Sequence, residues 1–171
     1  MRSFVAAFLD FPKPLIAAVN GASIGIMFTT LPLFDLVYAS PKATFFGPFV
    51  KLGQVPEGCS SLTFPRLMGH SKAMEVLVLG RKLDAKEALT LGLVNEVIHD
   101  GDFFEGVQHR VGSLVNLPIG SIIETKTLLR KWNVKELHKV NEEECKVLVQ
   151  RWQTEECMEA VNNFFQRKAK L

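Results

Sequence analysis

Leu15-Ile16-Ala17-Ala18-Val19 is an unbroken apolar run, stopped by Phe11-Pro12-Lys13-Pro14 before it and by Asn20-Gly21 after it. It is too short for a buried helix and lacks the alternation of a strand with one wet face. It therefore reads as a strand covered on both sides. Such a strand obliges the chain to supply a packing layer on each face, which favours a mixed α/β architecture over a bundle or an open sheet. Leu36 to Ala39 repeats the pattern, and Ala43 to Phe46, after a Ser40-Pro41-Lys42 turn, gives a third short strand. Ala22 to Leu33 is apolar nearly all round, and the expectation is a core helix with Pro32 near its end.

Further along, helices take over. Residues 2–9 read as a helix. Ser60 or Ser61 caps a helix running towards Met68, where Pro65 fits only in the first turn or at a kink. Gly69, Gly80 and Gly92 punctuate the segments after it, and Asp84-Ala85-Lys86-Glu87 has capping-box spacing. Leu93 to Ile98 is read as the last strand. From Asp102 onward the periodicity predicts helices over about 103–115, 118–132, 134–150 and 153–169. Leu128, Trp132, Leu137, Val140, Leu148 and Trp152 form an apolar stripe there, read as core packing with a share for subunit contacts. Glu142, Glu143 and Glu144 read as a solvated face. The division is 1–100, strands and helices, and 101–171, helices alone.

Composition removes several function classes. Apolar residues make up 47% and charged residues 22%, proportions of a packed protein rather than a disordered one. A formal charge of +2, spread over scattered basic doublets, gives no footprint for nucleic acid. No apolar run approaches the about 20 residues that span a bilayer. Cys59, Cys145 and Cys157 are odd in number and lack metal-ligand spacing, as do His70, His99, His109 and His138, so neither a disulfide framework nor a metal site is expected. Cys59 has no histidine placed to activate it and is read as a packing residue.

Two places carry candidate chemistry. Glu57 is a lone carboxylate between Pro56 and Gly58, flanked by Phe45, Phe46, Phe49 and Val50 on one side and Leu62 and Phe64 on the other. Burial there raises a carboxyl pKa towards the range of a useful base, while a helix start at Ser60/Ser61 opposes the rise. The sequence leaves that balance open. The second place is Val19-Asn20-Gly21-Ala22-Ser23-Ile24-Gly25-Ile26, a strand and glycine turn leading into a helix start. Free backbone N–H groups there can hold an anion or a developing oxyanion. It has neither the G-x-G-x-x-G of a dinucleotide site nor the lysine of a P-loop.

Together these segments resemble a known family. Ile16-Ala17-Ala18-Val19-Asn20-Gly21, Gly25, Asp35-Leu36-Val37-Tyr38-Ala39, Ala43-Thr44-Phe45 and Leu52-Gly53 are similar to the enoyl-CoA hydratase/isomerase (crotonase) superfamily. So are Gly69-His70-Ser71-Lys72-Ala73, Gly80 to Ala88, and Gly92-Leu93-Val94-Asn95-Glu96-Val97. Within it, Leu52-Gly53-Gln54-x-Pro56-Glu57-Gly58-Cys59-Ser60-Ser61 and Asn141-x-Glu143-Glu144-Cys145 resemble the peroxisomal-type Δ3,Δ2-enoyl-CoA isomerases. The resemblance implies a crotonase-type α/β spiral over 1–100, beginning inside the family domain, and a helical region over 101–171 that mediates homo-trimer or higher contacts and touches CoA.

Roles are implied by the same resemblance. Glu57 falls on the catalytic glutamate of the isomerases, and the Ile26 N–H, with Gly25 before it, on one of two oxyanion donors. Thr29 and Phe49 fall where hydratases carry their two glutamates, so hydration is not expected. Phe49, Pro56, Phe164 and Arg167 are implied contacts of the acyl-CoA substrate, and no further cofactor or metal is implied. Ala169-Lys170-Leu171 resembles a peroxisomal address, which implies an import receptor as partner and the peroxisome as location, with a mitochondrial or cytosolic location as the alternative. The implied activity is isomerisation of 3-enoyl-CoA to trans-2-enoyl-CoA in fatty-acid β-oxidation. Because the family domain is longer and part of the oxyanion hole lies before this segment, the alternative is a non-catalytic module binding CoA or a protein.

Overall fold

The computed structural model describes residues 1–99 and 101–168, the side chains of Arg167 and Lys168 excepted. Helix α1 (Arg2–Asp10) buries Val5 and Leu9 on one face and ends before Phe11-Pro12, where the residue preceding proline turns extended. Strand β1 (Ile16–Val19) follows, then β2 (Ala22–Ile24), the single-turn helix α2 (Ile26–Thr29) and a 3-10 turn over Leu31–Leu33. Next come β3 (Leu36–Ala39), β4 (Thr44–Phe46) and a 3-10 turn at Val50–Leu52. Beyond the Glu57 loop lie α3 (Ser60–Met68), α4 (His70–Leu77), β5 (Leu83–Asp84), α5 (Ala85–Thr90) and β6 (Glu96–Val97). Every element described after that is helical: α6 (Phe103–Val111), a 3-10 turn at Gly112–Asn116, α7 (Ile119–Arg130), α8 (Val134–Trp152) and α9 (Glu155–Lys168).

The strands form two small sheets. One has the order β1-β3-β6 and is wholly parallel, with Ile16 opposite Leu36 and Tyr38 opposite Glu96. The other has the order β2-β4-β5, parallel between β2 and β4 and antiparallel between β4 and β5. The main core fills the space between them and α3 to α5. Phe28 meets Phe64 edge-on at 5.0 Å and Phe45 at 6.1 Å, and all three are fully buried. A second cluster of Val5, Leu9, Leu33 and Cys59 sits under α8, with Ile26, Leu137 and Val140 packed on it.

Three expectations need correction. Ala22 to Leu33 is not one core helix: Ala22–Ile24 pairs with Thr44–Phe46, and Gly25, at φ +62°, turns the chain from strand into helix. An unbroken apolar stretch has no period, so a strand partner twenty residues away decides its state. Second, β1 stands at a sheet edge, and only Ala17 of it is buried rather than both faces of the strand. Third, Pro65 lies in the interior of α3, past the first turn. The burial of Phe64 beside it outweighs the one backbone bond lost.

The foreseen capping box of α5 is present: the Glu87 N–H donates to Asp84 Oδ1 at 2.8 Å, and the Asp84 N–H to Glu87 Oε2 at 3.2 Å. The two-residue strand β5 just before it was not foreseen. Helix α7 is tied to the spiral by charge: Lys126 Nζ lies 2.8 Å from Asp35 Oδ2, and Arg130 3.0 Å from Asp35 Oδ1. The apolar stripe of the last helices divides. Leu148 is buried and Leu137 and Val140 are half-buried, whereas Leu128, Trp132 and Trp152 are exposed and pack no core in this chain. Among the described residues no helix is long and apolar enough to cross a membrane.

Candidate active site

The loop that carries Glu57 is held at both ends by close backbone approach. At Gly53, in the left-handed region with φ +66°, an added Cβ would stand 2.7 Å from Cys157 Cα on α9, and its carbonyl accepts from Arg151 Nε at 2.9 Å. At Gly58, with φ +71°, a Cβ would stand 2.8 Å from Thr29 Oγ1 on α2. Cys59 comes next with φ +63°, the only non-glycine residue with positive φ among those described. Two successive left-handed residues reverse the chain straight after Glu57 and start α3, a conformation that costs energy at Cys59 and needs outside support.

That reversal turns the Glu57 side chain inward. It is 7% exposed, and its Oε2 is buried with no hydrogen-bond partner among the described residues. Its carbonyl accepts the Ser60 hydroxyl at 2.7 Å, which fixes the backbone but not the carboxyl. Burial raises the Glu57 pKa, the negative charge of Glu144 raises it further, and the Met1 amino group opposes, leaving it at about 7. The balance left open by the sequence thus resolves upward.

Part of the reason, after burial itself, lies with a residue the sequence reading placed in solvent. Glu144, on α8, is 7% exposed rather than on a solvated face. Its Oε2 accepts the Cys59 N–H at 2.7 Å, and its Oε1 accepts the Ser61 N–H at 2.9 Å and the Ser61 hydroxyl at 2.5 Å. The start of α3 is therefore capped from another helix, not by Ser60 or Ser61, and these α3 amide donors are not available to lower the pKa of Glu57. The signal was present in the spacing. Leu137, Val140, Asn141, Glu144 and Leu148 follow one helical face, and Glu144 lies on it.

On the facing wall, Gly25 donates its N–H to the Phe46 carbonyl at 2.9 Å, while its own carbonyl accepts from Phe28 and Thr29 at 2.9 and 3.0 Å. The Ile26 N–H, first in the helix, has no acceptor among the described residues. Gly58 packs on Thr29, and Ile26 packs on the cluster around Cys59, so the loop of Glu57 and the helix start of Ile26 are neighbours. Thr29 is buried, and its hydroxyl donates to its own helix at Gly25 O and Ile26 O, both at 3.3 Å. Phe49 lies in the main core. Neither position offers a carboxylate.

Of the implied substrate contacts, Pro56 lines a cavity of about 300 Å³ with Val55, Ser61, Val140, Glu143, Glu144 and Val147. Phe164 lies about two turns beyond Cys157 on α9, its ring 5.8 Å from that of Phe165. The Arg167 side chain and Ala169-Lys170-Leu171 lie outside the described residues. The Cys59 thiol is buried and pushed up to about 12 by burial and by Glu144, in keeping with a packing role.

The enoyl-CoA hydratase/isomerase family model matches residues 2–170. The chain belongs to that family. It is 52% identical over 171 residues to enoyl-CoA delta isomerase 2 from Homo sapiens, covering 100% of this chain and 43% of the relative. It is 46% identical to enoyl-CoA delta isomerase 3, peroxisomal, from Mus musculus, covering 99% and 54%. In structure it matches an enoyl-CoA hydratase/isomerase from Pseudoalteromonas atlantica with a TM-score of 0.92 at 34% identity, over 96% of this chain and 66% of that one. The chain thus spans about half the length of these curated relatives. The family fold, short strands and helices followed by a helical region, is the one the sequence implied.

Proposed function

We propose that this chain carries the base and one oxyanion donor of an enoyl-CoA isomerase acting on 3-enoyl-CoA thioesters. The observation that carries the reading is the buried Glu57 carboxyl, whose Oε2 has no hydrogen-bond partner among the described residues and whose pKa burial lifts to about 7. A carboxyl left unsatisfied in a folded protein costs stability, and sites that bind a reacting group are where that cost is retained.

The chemistry is set by elementary requirements. Glu57 in its ionised form takes a proton from C2 of the 3-enoyl thioester. The electron pair delocalises into a dienolate whose charge rests largely on the thioester oxygen. A backbone N–H aimed at that oxygen, the role assigned to Ile26, stabilises the charge by about 3–4 kcal/mol per donor. Glu57 then returns the proton to C4, leaving the double bond between C2 and C3. Adding water instead calls for carboxylates to orient and deprotonate it, and Thr29 and Phe49 supply none. Phe164 and Arg167 on α9 are assigned to the CoA moiety, and Pro56 to the acyl chain. The exposed apolar residues of the last helices are assigned to contacts with further copies of the chain. The peroxisomal name of the mouse relative supports a peroxisomal location.

The test is conversion of 3-enoyl-CoA to 2-enoyl-CoA by the protein and by Glu57→Gln. General acid–base catalysis contributes about 10²–10⁴-fold, and a loss of that size is the expected outcome. Since the base must be ionised, kcat/KM should rise with pH through about 7. Equal rates in the two proteins exclude Glu57 as the base, and no turnover in either favours the binding module.

A further inference from the structure

Two buried carboxyls lie within electrostatic reach of one another, and their surroundings differ sharply. Glu57 Oε2 has no donor among the described residues, whereas both oxygens of Glu144 accept, three bonds in all. Burial raises the pKa of both, but only at Glu144 do hydrogen bonds oppose the rise. Such an asymmetry directs the proton of a pair to the unbonded member. The backbone arrangement points the same way. The Gly58-Cys59 reversal is strained, and the three atoms fastened by Glu144 are the Cys59 N–H, the Ser61 N–H and the Ser61 hydroxyl, immediately past it.

We propose that Glu144 is a positioning residue for Glu57: from α8 its carboxylate clamps the turn that aims Glu57 inward and acts on it as a neighbouring acidic group. This rests on Glu57 as the base, but the clamp can be tested without turnover. The groups around the pair are Glu144 and Cys145 on α8, the Met1 amino group and Arg2 on α1, and Cys59 on the turn itself. Arg2 is engaged with Glu142 at 3.1 Å, and both cysteine thiols are raised by burial. Glu144 is accordingly the principal charge acting to hold the proton on Glu57.

The experiment is carboxyl titration by NMR with ¹³C-labelled glutamate, on the full chain and on Glu144→Gln and Ser61→Ala. Glu144→Gln keeps the shape and removes the charge, so the Glu57 midpoint should fall part of the way from about 7 towards 4.5. Ser61→Ala removes one bond to Glu144 and keeps the charge, so the Glu57 midpoint should stay near about 7. A residue that merely caps α3 would cost stability in Glu144→Gln and leave that midpoint in place, which overturns the proposal. If Glu144→Gln does not fold, the wild-type curves decide: interacting, two-step titrations of Glu57 and Glu144 support it, and two independent curves overturn it. In the isomerase assay the rising limb of kcat/KM moves to lower pH in Glu144→Gln. Loss of the isomerase reading alone would appear as an unchanged rate in Glu57→Gln with the titrations intact.

Discussion

Glu57 is held in a place that suits its neutral form, and this has a thermodynamic consequence apart from any reaction. Its pKa is about 7 when folded against 4.5 as an ordinary glutamate, so the folded chain binds the proton more tightly. The contribution to stability is therefore complete below 4.5 and is lost as pH rises through about 7. In Glu57→Gln that loss disappears. At pH 8 the variant should be more stable than the parent, by on the order of 1–3 kcal/mol, and at pH 4 close to it. Urea denaturation at the two pH values measures this, and an equal difference at both would contradict the raised pKa. The carboxylate was legible in the sequence because proline, glycine and aromatic neighbours surround it. Its partner was not, because Glu144 sits in a row of three glutamates and only its register with Leu137, Val140 and Leu148 marks it as inward-facing.

At the level of elements, what could be read depended on whether a segment's state was decided locally. Helices α6 to α9 were placed to within a few residues, since their apolar period is their own; α6 also carries its own cap, Asp102 accepting from the Phe104 and Glu105 N–H groups. The stretch Ala22 to Leu33 was misjudged because β4 supplies the decisive partner. Charge fixes another relation that periodicity does not show. Lys126, 7% exposed, fastens α7 to Asp35, which also accepts the Leu15 N–H at 2.6 Å, at the start of the first sheet. Lys126→Ala leaves that carboxylate short of a partner. The expected loss is about 1–3 kcal/mol, tempered by Arg130, with α7 the first segment to become susceptible to limited proteolysis. A melting temperature within error of the parent would show the pair to be energetically idle.

For the whole molecule, the last helices present more apolar surface than a self-contained fold needs. Leu129 is 73% exposed and Trp132 78%, beside Leu128 on the same stretch. Contiguous exposure of this kind marks surfaces that meet protein, which is the basis for expecting assembly with further copies. Leu129→Glu should shift the chain towards monomer in sedimentation at micromolar concentration without lowering its helical circular dichroism. An unchanged distribution would place the contacts elsewhere. Stoichiometry was not readable in the sequence, because a helical stripe looks the same whether it meets its own core or a neighbour.

The clamp on the Glu57 turn also bears on how the protein is made. The bond from the Cys59 amide to Glu144 spans 85 residues, so a ribosome has delivered the loop long before it delivers the helix that fastens it. During that interval the left-handed turn has no support from α8. A nascent chain released before residue 134 would hold the acid in sequence but not in place, and the pocket should mature only once translation has passed the third glutamate of the row.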